Sequence, residues 1–389
     1  MSNNINDKFR EAKNLYDSQN YEESLKIYEQ LFNENPDAFS KYNLISYCWA
    51  IYKVHVKDVK DEDEIIDAVE IITDLTSQTD LNESRTCPYT FSIFELLKVL
   101  NNKNEYYNMF EWLDMIDVEL LDDNKNQFSK IDKRSRLEKY YDYYSKAYLE
   151  CAEWDLCIEF SNEALKNIDS FTNSGDTWHK WRMAKALKEL NQSEKALEYL
   201  KEVVNVKNEW YVYKEIGENY YILNDNENAS RYVGMAILAP GAQKMKVNLY
   251  RLAYELLEDL EPEIAYKHIE LFYLLKLENK AQIPDEVNDL DINEDYLDKN
   301  QLIKEINSFW SQLKFKDQEL QYGTVTKFFN DRNYGFIRDD NDNSIFFHKS
   351  EFKGDNVYVG QLVSFYVETS FDELKNKKSI NAVCIESEV

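Results

Sequence analysis

Apolar positions in the first 280 residues recur at helical spacing. In residues 8–36, KFREAKNLYDSQNYEESLKIYEQLFNENP, bulk comes from Leu15, Tyr21, Tyr28 and Leu31, while Ala12 is the small residue that two crossing helices need. This pattern predicts two amphipathic helices, the second closed by Pro36. The same grammar returns over 210–240, where Tyr213, Ile216, Gly217, Tyr220, Ala229, Ala236 and Pro240 hold matching positions. Weaker copies surround Tyr148–Trp154–Ala164, Trp181–Ala184–Leu187–Ala196 and Ala253–Leu256–Ala265–Phe272. One helix pair cannot bury its own apolar stripe, so stacked neighbours must complete the core, and about seven pairs are expected. Aromatics such as Trp154, Trp181 and Trp210 are therefore read as core. Residues 40–133 fit the period poorly and contain an acidic insertion, KDVKDEDE.

From Gln321 the period changes from 3.6 to 2. The segments GTVTKFF, YGFIRD, SIFFHKS, QLVSFYVE and SINAVCIE alternate and are separated by Asn, Asp and Gly turns, which predicts five short strands closing into a small barrel. Between the two regimes, residues 281–300 hold seven carboxylates against one lysine, the composition of a linker. Beyond them Leu302, Ile303, Ile306, Phe309, Trp310 and Leu313 stand at helical spacing, on a helix that either caps the repeats or braces the tail. The expected organisation is helical repeats over 1–280, an acidic linker over 281–300, a connecting or capping helix over 301–318 and an all-β barrel over 319–389.

Composition narrows the function classes. The chain of 389 residues has a formal net charge of −27, of which residues 321–389 carry only −3 (8 basic against 11 acidic side chains). Five scattered cysteines, Cys48, Cys87, Cys151, Cys157 and Cys384, form no C-x-x-C pair, which points to a reducing cytoplasm rather than a disulfide or zinc framework. No apolar run reaches the length of a membrane span, and no signal-peptide pattern opens the chain. The four histidines, His55, His179, His268 and His348, are dispersed. Neither a phosphate-binding loop nor a nucleophile elbow appears, so neither catalysis nor a cofactor or metal is expected.

The residues quoted for the front resemble the tetratricopeptide repeat family over roughly 5–280. That resemblance implies a superhelix whose concave face holds a protein or peptide partner. Phe9 and Lys13 stand where some relatives carry the groups that grip a partner's C-terminal carboxylate, so that mode is not expected. An acidic concave wall would favour a basic partner; carboxylates that merely solvate the outer surface are the other reading. In the tail, Gly323–Phe328, Arg332–Ile337, Ile345–Ser350 and Gly360–Phe365 resemble the cold-shock domain, an OB-fold. The resemblance implies that single-stranded RNA or DNA stacks on aromatics of two adjacent strands. Period-2 geometry places Tyr334 with Phe336, and Phe346 with His348, on one face each. The candidate nucleic-acid contacts are Lys327, Phe328, Arg332, Tyr334, Phe336, Phe346, His348 and Lys349. Lys327 and Lys349 replace family aromatics, and Asn333 replaces a glycine.

Two functions follow. One is a non-enzymatic adaptor that holds a protein on its repeats and single-stranded RNA, or DNA, on its barrel. The other is a protein scaffold whose barrel has lost nucleic acid and docks on repeats or another subunit, as in a bacterial regulatory or defence complex.

Overall fold

The computed structural model describes residues 2–81, 86–124, 132–290, 292–293, 296–314, 318–352, 356–372 and 377–388. It divides into two compact units, Met1–Lys207 and Asn208–Val389.

The first unit is helical. Helices α1 (Ser2–Asp17) and α2 (Tyr21–Glu34) pair across Ala12, which is fully buried; the Ser24 hydroxyl donates to the Ala12 carbonyl at 2.7 Å, tying the crossing. Gln19 makes the turn with a positive φ of 64°. Phe9 lies in the core, edge-on to Phe39 at 4.8 Å, so this position packs rather than binds.

Irregularity follows where the repeat pattern was weakest. After α3 (Lys41–Ile51) the chain makes a π-helical turn, Tyr52–Val56, before α4 (Glu62–Leu75), α5 (Pro88–Lys103) and the short α6 (Met109–Asp114). The acidic insertion has a local cause. The Asp61 side chain accepts from the Glu64 amide, and Glu62, Asp63 and Glu64 fill the first turn of α4, where carboxylates oppose the positive end of the helix dipole. The unit closes with α7 (Arg136–Glu150) against α8 (Trp154–Asn167), and α9 (Gly175–Glu189) against α10 (Ser193–Val204). A capping box starts α7: Ser135 accepts from the Glu138 amide at 3.0 Å and Glu138 accepts from the Ser135 amide at 3.0 Å.

Asp142 of α7 sits between two guanidinium groups, Arg134 at 2.6 Å and Arg182 of α9 at 2.5 Å. Despite its burial, this pairing holds its carboxyl below the usual range. Beside this network a groove of about 620 Å³ is lined by Lys98, Asn101, Lys146, Glu150, Trp178 and Trp181. With Arg134 and Arg182 its lining carries four cations against the three carboxylates of Asp132, Asp142 and Glu150, so this groove is not the acidic wall expected for a basic partner. Trp154, Trp181 and Trp210 are half-buried at the edges of the cores rather than inside them.

In the second unit α11 (Trp210–Ile222) pairs with α12 (Asn226–Leu238), and α13 (Val247–Leu257) with α14 (Pro262–Glu278). Gly217 permits the first crossing, since a Cβ there would lie 2.9 Å from the Val233 side chain. The segment expected to be an acidic linker is packed instead: Val287, in the one-turn α15 (Asp285–Asn288), is buried, and Ile283, Leu290 and Ile292 lie against the same core. Four apolar side chains explain this, because they anchor the segment while Asp285, Glu286, Asp289 and Asp298 stay exposed.

Helix α16 (Lys299–Lys314) packs back on α12 and α14 through Leu302, Ile306 and Trp310. Trp310 is 1% exposed and lies over Gly234, where an added Cβ would come within 2.7 Å of its ring. Its indole N–H donates to His268 Nε2 at 2.8 Å, and His268 Nδ1 lies 2.7 Å from the Ile264 carbonyl. This fixes His268 as the Nδ1–H tautomer, and burial lowers its pKa from 6.5 to about 4.

Five strands close the barrel: β1 (Gln321–Phe329), β2 (Tyr334–Asp339), β3 (Ser344–His348), β4 (Leu362–Asp372) and β5 (Lys377–Ser387), in the order β1-β2-β3-β5-β4. The pairs are antiparallel apart from β3 with β5. Val325, Ile337, Ile345, Phe347, Val363, Phe365 and Ile385 fill the interior.

Two outcomes test this packing. Gly234→Ala should destabilise the second unit by about 1–3 kcal/mol through overpacking against Trp310, although alanine favours a helix by about 1 kcal/mol; urea unfolding followed by tryptophan fluorescence reads it. The unfolded His268 takes a proton near 6.5 and the folded one only near 4, so the contribution of His268 to stability should be constant above pH 6.5 and fall as pH drops towards 4. The loss should approach roughly 3 kcal/mol at one pKa unit per 1.36 kcal/mol, and His268→Gln should flatten the slope in a urea-midpoint series over that range.

Candidate nucleic-acid interface

The site begins with a register change in β1. Gly323, Thr324 and Val325 stand opposite Asp339, Arg338 and Ile337 of β2, but the next pairs are Lys327 with Phe336, Phe328 with Gly335 and Phe329 with Tyr334. Thr326 is the extra residue of a β-bulge, and its hydroxyl donates to the Phe336 carbonyl at 3.1 Å. Strict alternation from buried Val325 would have sent the Lys327 ammonium into an apolar interior, where no partner stands to offset its desolvation. With the bulge, Lys327 turns out and Phe328 turns in.

The inner row is Phe328, Gly335 and Phe347, side by side on β1, β2 and β3. Gly335 carries no side chain because a Cβ would sit 2.5 Å from Phe347 Cζ. The two phenylalanine rings flank it, 6.1 Å apart and 7° from parallel. Phe328, expected among the contacts, therefore belongs to the barrel core, and the bulge is the reason.

The outer face takes the other rings in two rows. One row is Phe329, Tyr334 and His348; the next is Lys327, Phe336 and Phe346. Tyr334 lies 5.0 Å from Phe329, 5.6 Å from Phe346 and 6.1 Å from Phe336, and Phe336 lies 5.8 Å from Phe346. These four rings form one continuous half-exposed patch, with Phe329 39% exposed. Each ring braces its neighbours edge-on or tilted, which holds the faces in place before any ligand arrives. Phe329 is the member that sequence reasoning missed. Its signal was present in Val325-x-Lys327: a lysine two residues beyond a core valine announces a break in the alternation.

Cations rim this patch. Lys327 and His348 are exposed on it, and among the described residues Lys327 and Lys349 have no ion-pair partner. Arg332 stands on the exposed turn Asn330–Arg332, 3.7 Å from Asp331. Asn333 follows with φ 53°, and its carbonyl accepts from the Lys349 amide at 2.8 Å. That left-handed step is where asparagine serves in place of glycine, and the hydrogen bond places Lys349 beside the turn that carries Arg332. The structure thus brings together Lys327, Tyr334, Phe336, Phe346 and His348 on one face, sets Arg332 and Lys349 at its edge, and removes Phe328.

The Lys314 ammonium of α16 lies 2.7 Å from the Glu368 carboxylate of β4. Burial raises the pKa of Glu351, which follows β3, with Glu368 adding to the effect and Lys314 and His348 opposing it. Among the described residues no group of three or more His, Cys, Asp or Glu side chains is placed to hold a metal ion, and no helix is long and apolar enough to cross a membrane.

Comparison with known proteins agrees with the geometry of the barrel. Residues 321–383 match the family model of the 'Cold-shock' DNA-binding domain, a nucleic-acid-binding class. Residues 177–316, from α9 through α16, match that of a domain of unknown function (DUF7017). No curated protein matches the sequence. Among solved structures the chain overlaps the apo form of RapI at 15% identity and TM-score 0.47, covering 80% of this chain and 88% of that one. It also overlaps the C-terminal part of a TPR repeat-containing protein from Cytophaga hutchinsonii, at 14% identity and TM-score 0.43, covering 72% and 98%. A third overlap is with pilF from Pseudomonas aeruginosa, at 12% identity and TM-score 0.38, covering 72% and 93%. Overlaps this loose carry no functional argument. The chain combines paired helices with a C-terminal barrel that matches the cold-shock family over residues 321–383.

The two adjacent phenylalanines give a direct check on the bulge. Phe328→Ala should lower the stability of the full chain by about 2 kcal/mol, because it empties part of the barrel core. Phe329→Ala should change it by under about 0.5 kcal/mol. Paired urea melts distinguish them.

Proposed function

We propose that the protein is a non-enzymatic adaptor whose barrel binds single-stranded RNA, with DNA as the weaker alternative, while its helical repeats hold a protein partner. The observation that carries this reading is the patch of four half-exposed rings, Phe329, Tyr334, Phe336 and Phe346, on one face of three strands. Four rings gathered at the surface of a small barrel leave part of their faces in water, and unpaired bases supply flat apolar faces to cover them. The match to a cold-shock domain supports the same reading.

The chemistry is stacking first and charge second. Each stacked base contributes about 1–3 kcal/mol before ordering costs. Lys327, Arg332 and Lys349 reach the edge of the patch and are suited to neutralising at most three phosphates, in a chain of net charge −27. The salt slope of binding should then be no steeper than roughly −2 in log K against log salt, at about −0.7 per phosphate on a single strand. A duplex offers no exposed base faces and should not compete.

In the first unit, the groove lined by Asn101, Lys146, Trp178 and Trp181 supports the partner half of the reading. Its amide, cationic and indole groups suit an extended polar peptide, with side-chain amides bonding to the peptide backbone.

Fluorescence anisotropy of labelled oligouridylate against the full chain tests the function. Tyr334→Ala and Phe336→Ala should each weaken binding about 5- to 100-fold with unchanged melting, as expected for one lost stack. Binding that is equal in wild type and both variants, or no binding at all, contradicts the proposal.

A further inference from the structure

We infer that the single-strand track continues beyond the four-ring patch, across Arg338, onto a second platform formed by Tyr322 and Leu362. This inference rests on the reading of the barrel as a single-strand binder. Three observations carry it. Tyr322 is 49% exposed and Leu362 59% exposed, so two large apolar side chains stand in water on a barrel with ample interior for others. The register puts them in line with the patch: Thr324 of β1 stands opposite both Arg338 of β2 and Leu362 of β4, forming the outer row next to Lys327, Phe336 and Phe346. Tyr322, Thr324, Thr326, Arg338 and Leu362 also line one shared concavity of about 410 Å³.

Strand geometry sets the reach. Successive outward residues are about 7 Å apart along a strand, so Tyr322 lies about two steps past the row of Phe336, a span of about two stacked nucleotides. Charge sets the orientation. Asp340 and Glu388 line the same concavity and would repel phosphates. Arg338 lies 3.2 Å from Asp342 and offers its flat guanidinium between the platforms. The arrangement therefore takes nucleotides with bases inward and phosphates towards water. The platform adds affinity through stacking, and adds little salt dependence.

An oligouridylate length series of four, six, eight and ten nucleotides, titrated against the full chain, tests the inference. Wild-type affinity should rise about five-fold or more between the shorter and the eight-nucleotide strands, the gain of one further stack. In Tyr322→Ala, and separately in Leu362→Ser, that rise should shrink or vanish while four-nucleotide binding stays as in wild type. A rise that persists in both variants, or a wild-type affinity flat beyond four nucleotides, overturns the second platform and leaves the four-ring patch standing. Absence of binding at every length removes the patch and the platform together. A change in sedimentation on Tyr322→Ala with an unaltered length dependence assigns these side chains to a protein contact, and likewise overturns the inference.

Discussion

One extra residue in β1 decides which rings of the barrel meet solvent. Thr326 breaks the strand's alternation between Val325 and Lys327. Everything downstream on that strand changes face: the lysine leaves the core, Phe328 enters it, and Phe329 joins the outer rings. The constraint is electrostatic in origin, since an unpaired ammonium inside a small apolar barrel would be too costly to desolvate. Gly335 is its counterpart on β2. By carrying no side chain it lets Phe328 and Phe347 face each other across it, 6.1 Å apart. Core packing and ligand surface are thus two sides of one register.

The same economy governs the helical part of the second unit. α16 is held by Trp310, which needs both the flat space above Gly234 and a buried neutral histidine to accept its N–H. Filling that space overpacks the ring, and removing the histidine leaves an unsatisfied donor. α16 then runs directly towards the barrel, where Lys314 meets Glu368.

Much of this was legible in the residues. The repeats around Ala12 and Gly217 followed from small residues at helical spacing, and the five strands followed from alternation with Asn and Gly turns. Tyr334, Phe336, Phe346 and His348 were placed correctly because β2 and β3 keep strict period-2 pairing. Phe328 was not, because a bulge is invisible to a count by twos; only the charge of Lys327 betrays it. The linker over 281–300 was misread for a related reason. Its carboxylates dominate the composition, yet four apolar side chains among them decide its path. The irregular α3–α6 region escaped because a π-helical turn and a six-residue helix carry too little periodicity to detect.

The account stands on rings held outward and free to lie against bases. Photo-cross-linking a 5-bromouridine oligonucleotide to the full chain, followed by peptide mapping of the adducts, tests that most directly. Adducts on Phe329, Tyr334, Phe336 or Phe346 are the predicted result. Adducts confined to other surfaces of the chain, or found on Phe328 in place of Phe329, would contradict it.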